Sequence, residues 1–403
     1  MRNTTGFIPV CTAILALMAG QQATAEEKKS VDSAVLYGFV RLDAVYDKKA
    51  QSADDWASFL MTQPTEGSRT NDRIYMTART SRLGVKGSLA AGTVKYQLEG
   101  DYNGNTMEQD ASNTSGGIRL GTLGSNSMGF RLRHANLQVG NWTLGQTWST
   151  AFDGASTPET VEFNPTLTAT ALRQPQVRYS TDLGQGSSLH VALENPSSSL
   201  VANSAWATRN QTPDLVGRLT HEANWGHVSL MAVAHRYSVF EQGLVDGKLQ
   251  AKENGKTASA TGHLFALGGS YVMDSGRLVY GASIGNGAGR YQWASLLQGI
   301  AMTADGSVER FKSRGLHVGY THKWSADVRS NLNYARVMFD DTDVFVDGLH
   351  NKRLSQMQVN TIVGLAKGVE AGVEYEQGER IQLGAAATSS KESRVNFMVM
   401  ASF

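Results

Sequence analysis

The sequence predicts an all-β protein: a transmembrane antiparallel β-barrel of about sixteen strands, with its third loop folded into the lumen. Three observations carry that prediction. Apolar and polar residues alternate with period two from Val35 to the last residue. Tight turns exchange regularly with long Gly-, Asn- and Ser-rich segments. Finally, a short apolar run opens the chain and ends at a small-residue cleavage motif.

That opening reads as an export signal over residues 1–25. Arg2 supplies the positive region, Phe7–Gly20 the apolar run and Ala23-Thr24-Ala25 the A-x-A site. The run is shorter than the ~20 residues a spanning helix needs. A short periplasmic segment, 26–34, is expected to follow, and then a barrel over 35–403. Cys11 is the one cysteine and lies inside the signal, which excludes disulfide frameworks, thiolate metal sites and cysteine nucleophiles in the mature chain. Loss of the signal removes Arg2 and no acid, so 37 basic residues become 36 against 36 acidic ones. A neutral chain gives no electrostatic reason to bind nucleic acid. Forty-two glycines against seven prolines suit many strands joined by turns.

Taken in order, Val35–Asp47 puts Leu36, Val40, Leu42 and Ala44 on one face and Tyr37, Phe39, Arg41 and Asp43 on the other. Thr80–Leu89 and Thr93–Tyr102 repeat the pattern across Ala90–Gly92. Further short connections fall at 140–141, 182–186, 223–226, 274–276, 325–327 and 366–368. Long segments lie near 48–72, 103–128, 150–173, 197–212, 240–261, 286–312, 340–352 and 378–391. Seven turns alternating with eight loops give short periplasmic connections and long external ones, as transmembrane barrels have. Closure is required, because an open strand edge in hydrocarbon leaves backbone groups unpaired at roughly several kcal/mol each. Tyr46, Tyr102, Trp142, Trp225, Trp324 and Phe403 sit near strand ends, where lipid headgroups favour aromatics. The last strand, Arg394–Phe403, alternates cleanly and ends on an aromatic, resembling the signal read by the outer-membrane barrel-assembly machinery.

About sixteen strands leave an aqueous bore. The segment 150–173 is too long for a hairpin and too polar for a strand, and it carries Asp153, Glu159 and Glu162. Strand parity places Arg41, Arg82, Lys86, Lys95, Arg178 and Arg394 on the lumen face, with Arg173 at the loop's return. Acids on the loop facing bases on the wall would set a transverse field at a constriction, so these ten residues are the candidate site. Arg131, Arg133 and Arg173 fall on the apolar parity of their strands, which requires either a position above the membrane or a β-bulge.

Ser125–Trp148 (SNSMGFRLRHANLQVGNWTLGQTW) followed by STAFDGASTPETVEF resembles the DcaP-like family of trimeric outer-membrane porins. RQPQVRY (173–179), LHVALENP (189–196), PDLVGRL (213–219), NWGHVSL (224–230) and the opening YGFVRLDAVYD extend the resemblance from about residue 35 to the end. PETVEF alone would suggest only a porin constriction loop. The resemblance implies a homotrimer in outer-membrane lipid and lipopolysaccharide, taking up small hydrophilic solutes passively, often anionic ones such as dicarboxylates. Such porins can carry an N-terminal coiled coil; Glu26–Ala34 holds no heptads, so trimer contacts would rest on walls and loops.

A non-selective or cation-preferring diffusion porin is the nearest alternative. A barrel enzyme would need a nucleophile with its base, and the nine histidines form no Ser/His/acid set, so no catalytic residues, cofactor or metal are expected. An adhesive, plugged barrel is the third class. The acids of 340–352 (DDTDVFVDGLHNK) could attract a divalent cation, but lack the Gly and Glu spacing of a calcium loop.

Overall fold

The computed structural model describes residues 32–49, 72–104, 114–115, 118–119, 129–198, 200, 205–245, 248–292, 298–303, 305–342, 350–383 and 389–403. The leader expected over 1–25, most of the segment before the barrel and the acids Asp343 and Asp347 lie outside these residues.

Sixteen strands follow one another around a closed antiparallel barrel. They are β1 (Ser33–Lys49), β2 (Arg73–Thr77 and Arg82–Leu89, interrupted), β3 (Val94–Gly104), β4 (Gly129–Val139), β5 (Trp142–Trp148) and β6 (Arg173–Gly184). Next come β7 (Ser187–Glu194), β8 (Asp214–Ala223), β9 (Gly226–Val245), β10 (Thr257–Met273) and β11 (Gly276–Asn286). The barrel ends with β12 (Lys312–Lys323), β13 (Val328–Phe339), β14 (Asn351–Ala366), β15 (Val369–Gln382) and β16 (Ser389–Ser402). β16 returns to β1 in antiparallel register, Phe39 opposite Ser402 and Asp47 opposite Arg394, which leaves no free edge. The terminal residue helps seal this seam: Phe403 N–H donates to Gly38 O at 3.1 Å and Gly38 N–H to Phe403 O at 3.2 Å.

All seven tight turns fall where the alternation breaks. Gln185 and Gly186, both at positive φ, make the β6–β7 turn in the two-residue form that matches strand twist. β9 and β10 run farther than the 240–261 segment suggested, to Val245 and from Thr257. Leu42, Leu98, Leu230, Ile284, Val359 and Val399 face outward, and this apolar band meets lipid. The alternate positions are polar and face the bore: Asp43, Glu99, Asn136, Gln176, Asn331, Asn360 and Glu376 are buried.

A bulge resolves the parity of β4. Glu99 pairs with His134 but Gly100 pairs with Leu132, so Arg133 is an extra residue. The insertion brings Arg133 and His134 inward together and turns the strand before it by one step. Phe130 and Leu132 therefore face lipid, while Arg131 reaches Asp101 in the bore.

A water-filled barrel has little core of its own, and here the apolar interior lies where loops fold back onto the inner wall. Leu167 packs with Phe311, Val337, Phe339, Leu354 and Leu383. Ala151 packs with Val216, Val233, Leu264 and Tyr291. Full burial of such side chains stabilises by roughly 1.5–3 kcal/mol each, which is what holds these loops inside.

Candidate permeation site

The loop between β5 and β6, residues 149–172, enters the lumen and follows the wall from β8 round to β16 and β1. Arg218 Nη1 donates to Phe152 O at 2.6 Å. Asp153 meets His227 Nε2 at 2.9 Å, and His317 Nε2 meets Ser156 O at 3.0 Å. Arg329 forks onto Glu159 at 2.7–3.0 Å and also reaches Glu370 at 2.9 Å. Glu374 accepts the N–H groups of Val161 and Glu162, each at 2.9 Å, and Arg41 Nη2 donates to Val161 O at 2.5 Å. Glycine permits the close approach: a Cβ on Gly319 would stand 2.8 Å from Pro158, and one on Gly372 2.8 Å from Val161.

A second loop backs the first. Tyr291, in the segment between β11 and β12, is fully buried; its hydroxyl lies 2.9 Å from Asp214 and 3.2 Å from Glu194. Its carbonyl accepts Thr170 Oγ1 at 3.0 Å. Burial pushes the Tyr291 phenol well above its usual value. The sequence marks 286–312 as a long segment, but nothing in it distinguishes Tyr291 from Trp293 or Phe311 as the residue that enters the bore.

The loop tip stops against an arginine cluster on the wall formed by β2, β3, β4 and the start of β6. Arg82 lies 3.3 Å from Glu99. Arg133 reaches Glu99 and Asp101, both at 2.8 Å, and Arg131 reaches Asp101 at 2.7 Å. Arg173 stacks 3.5 Å above the Trp148 ring. Among the described residues, four guanidinium groups thus face two carboxylates, an excess of two positive charges that the Arg41–Asp43 pair beside them leaves unchanged. Phe163, at the loop tip, contacts Arg41 and Arg133, with guanidinium carbons 5.4 and 5.8 Å from its ring.

Of the residues proposed from sequence, the structure brings Arg41, Arg82 and Arg173 to this cluster. Glu162 goes to a buried pocket instead, 3.7 Å from Arg394, which is itself held by Asp47 at 2.5 Å. Burial, reinforced by the Glu376 carboxylate, pushes the Glu162 carboxyl well above the ordinary carboxylate range in spite of Arg394. Asp153 and Glu159 pair with His227 and Arg329 rather than facing the arginines. Lys86 and Lys95 lie near the periplasmic turn after β2, away from the loop, with Lys86 over the Tyr37 ring at 5.0 Å. Arg178 lies farther down β6. Sequence reasoning does not single out Arg329 or His227 as loop partners, whereas parity does place Asp101 on the lumen face.

The family model described as DcaP outer membrane protein matches residues 13–403. The chain belongs to that family. The outer membrane channel DcaP of Acinetobacter baumannii aligns over 94% of this chain and 100% of that one, with 26% identity and a TM-score of 0.74. Two more distant structures share the fold. An anion-selective porin from Comamonas acidovorans has 13% identity and a TM-score of 0.58, covering 93% of this chain and all of that one. The trimer form of OmpT from Vibrio cholerae has 12% identity and a TM-score of 0.54, again over 93% of this chain and all of that one. No curated protein matches the chain. As a DcaP-family protein the chain is an outer-membrane β-barrel channel.

Proposed function

We propose that this channel passes small hydrophilic solutes with a preference for anions, dicarboxylates among them. The observation that carries the reading is the Arg82, Arg131, Arg133 and Arg173 cluster at the loop tip, whose two carboxylates leave positive charge over. Guanidinium groups hold carboxylates in a two-point fork. In this reading Arg41, Arg82 and Arg173 line the constriction with Arg131 and Arg133. Asp153, Glu159, Glu162 and Arg394 fix the loop, and Lys86, Lys95 and Arg178 line the way out to the periplasm. Reversal potentials in a KCl gradient test it: an anion-selective sign supports the reading, and a cation-selective sign overturns it in favour of a general diffusion porin. Arg173→Gln should lower the anion preference.

The reading includes cleavage of an export leader after residue 25, a homotrimer in lipid and lipopolysaccharide, and Phe403 as the assembly signal. Mass spectrometry of the mature N-terminus, gel migration without heating and deletion of Phe403 test the three in turn.

A further inference from the structure

Below the loop, on the wall of β6, β7 and β8, three basic side chains stand together. His190 is directly opposite Arg218 in the β7–β8 register, and Ala192 is opposite both Arg178 on β6 and Val216 on β8. Adjacent strands lie about 4.8 Å apart, so Arg178 and Arg218 are about 12 Å apart at Cα, a gap that two extended arginines close on one anion. The Nε atoms of both are buried without a hydrogen-bond partner among the described residues; Arg218 also holds Phe152 O through Nη1, and Arg178 has no ion pair among the described residues. Ala192 between them is small and buried, while Arg178, His190 and Arg218 themselves stay partly exposed.

Two of the acids near this group are committed elsewhere. Glu194 accepts from Ser149 Oγ at 2.9 Å and Thr150 N–H at 2.7 Å, and also contacts Gln174 and Tyr291. Asp153 is paired with His227. Glu222, on the far end of β8, is exposed. His190 is hydrogen-bonded to Ser180 at 2.9 Å, which orients its ring.

We propose that Arg178, Arg218 and His190 form a second anion-holding station, on the periplasmic side of the constriction, for a small carboxylate. Arg173 is five residues up β6 from Arg178, about 16 Å along the strand. A four-carbon dicarboxylate spans roughly 4–6 Å. One solute therefore cannot bridge the two positions, and they act in sequence: an anion leaving the upper arginines is received by the lower pair before it reaches the periplasm. The station rests on the anion-preferring reading above and adds a place and a direction to it.

Succinate added to the periplasmic side of the full-length channel in planar bilayers tests the station through block of the chloride current. Arg178→Gln breaks no hydrogen bond among the described residues, so the barrel is expected to assemble. The half-blocking succinate concentration from that side should rise roughly tenfold, as for a lost charge-assisted contact. Arg178→Lys, which keeps the charge without the fork, should fall between. An unchanged block in Arg178→Gln, in a channel that still prefers anions and loses that preference in Arg173→Gln, overturns the station and leaves the wider reading standing. A wild-type channel without anion preference overturns both.

Discussion

The carboxylate of Glu374 on β15 accepts the backbone N–H of Glu162 at 2.9 Å, joining positions 212 residues apart. With its other oxygen it accepts the N–H of Val161, so one wall side chain pins the tip of the inward loop. Glu374→Ala would leave two buried N–H groups without partners, at about 1–3 kcal/mol each. The expected outcome is a loosened tip, visible as increased open-channel current noise. Wild-type noise in this variant would rule out the pin.

Gly319 carries a second test of loop position. Pro158 is rigid and lies 2.8 Å from where a Cβ would stand, with Asn333 Oδ1 at 2.7 Å. Gly319→Val should lift the loop from β12 toward the arginine wall and reduce single-channel conductance severalfold, without preventing closure of the barrel. An unaltered conductance would show that the loop does not border the conducting path.

Deletion of Arg133 tests the bulge. Because Arg133 is the extra residue, its removal leaves His134 opposite Glu99 and Arg131 opposite Asp101 in a regular ladder. The shortened chain should fold with Arg131 still inside and should differ by one lumen cation. In water-like dielectric at about 8 Å that charge is worth roughly 0.5 kcal/mol, about twofold in anion preference. If the deletion instead turned Arg131 toward lipid, the penalty would be roughly 2–4 kcal/mol and assembly yield would collapse.

Acidification should tighten the loop. The Glu162 carboxyl has a raised pKa when docked. A raised folded-state value stabilises the docked state most below the ordinary carboxyl range, and the benefit is lost as pH rises through the docked value. Current noise is therefore expected to be lower at pH 5 than at pH 8, and Glu162→Gln should flatten that dependence. Noise that grows on acidification would reverse the sign.

Much of this was legible without the fold. Alternation along β1, β3, β15 and β16 sorted Leu42 from Asp43 and Val399 from Met398, because a two-residue period has only two faces to choose between. The long acidic insert at 150–173 was recognisable as a loop by its length and its prolines. Charge pairing was not legible, since Glu159–Arg329 and Glu162–Arg394 join residues 170 and more than 200 positions apart, and strand parity gives a face but no azimuth around the barrel.

The loop that opened as an acidic half of a transverse field thus becomes a loop whose acids are spent on its own wall. By itself the sequence determined that the chain is an outer-membrane-type barrel, which residues face lipid wherever no bulge shifts the register, and where the turns and the inward loop fall, because these are properties of local period and spacing. The tertiary structure alone decided that Arg133 bulges inward, that Tyr291 brings a second loop behind the first, and that Arg82, Arg131, Arg133 and Arg173 gather at the loop tip. Those outcomes depend on which distant strands share the curvature of one closed wall, and closure is a property of all sixteen strands together.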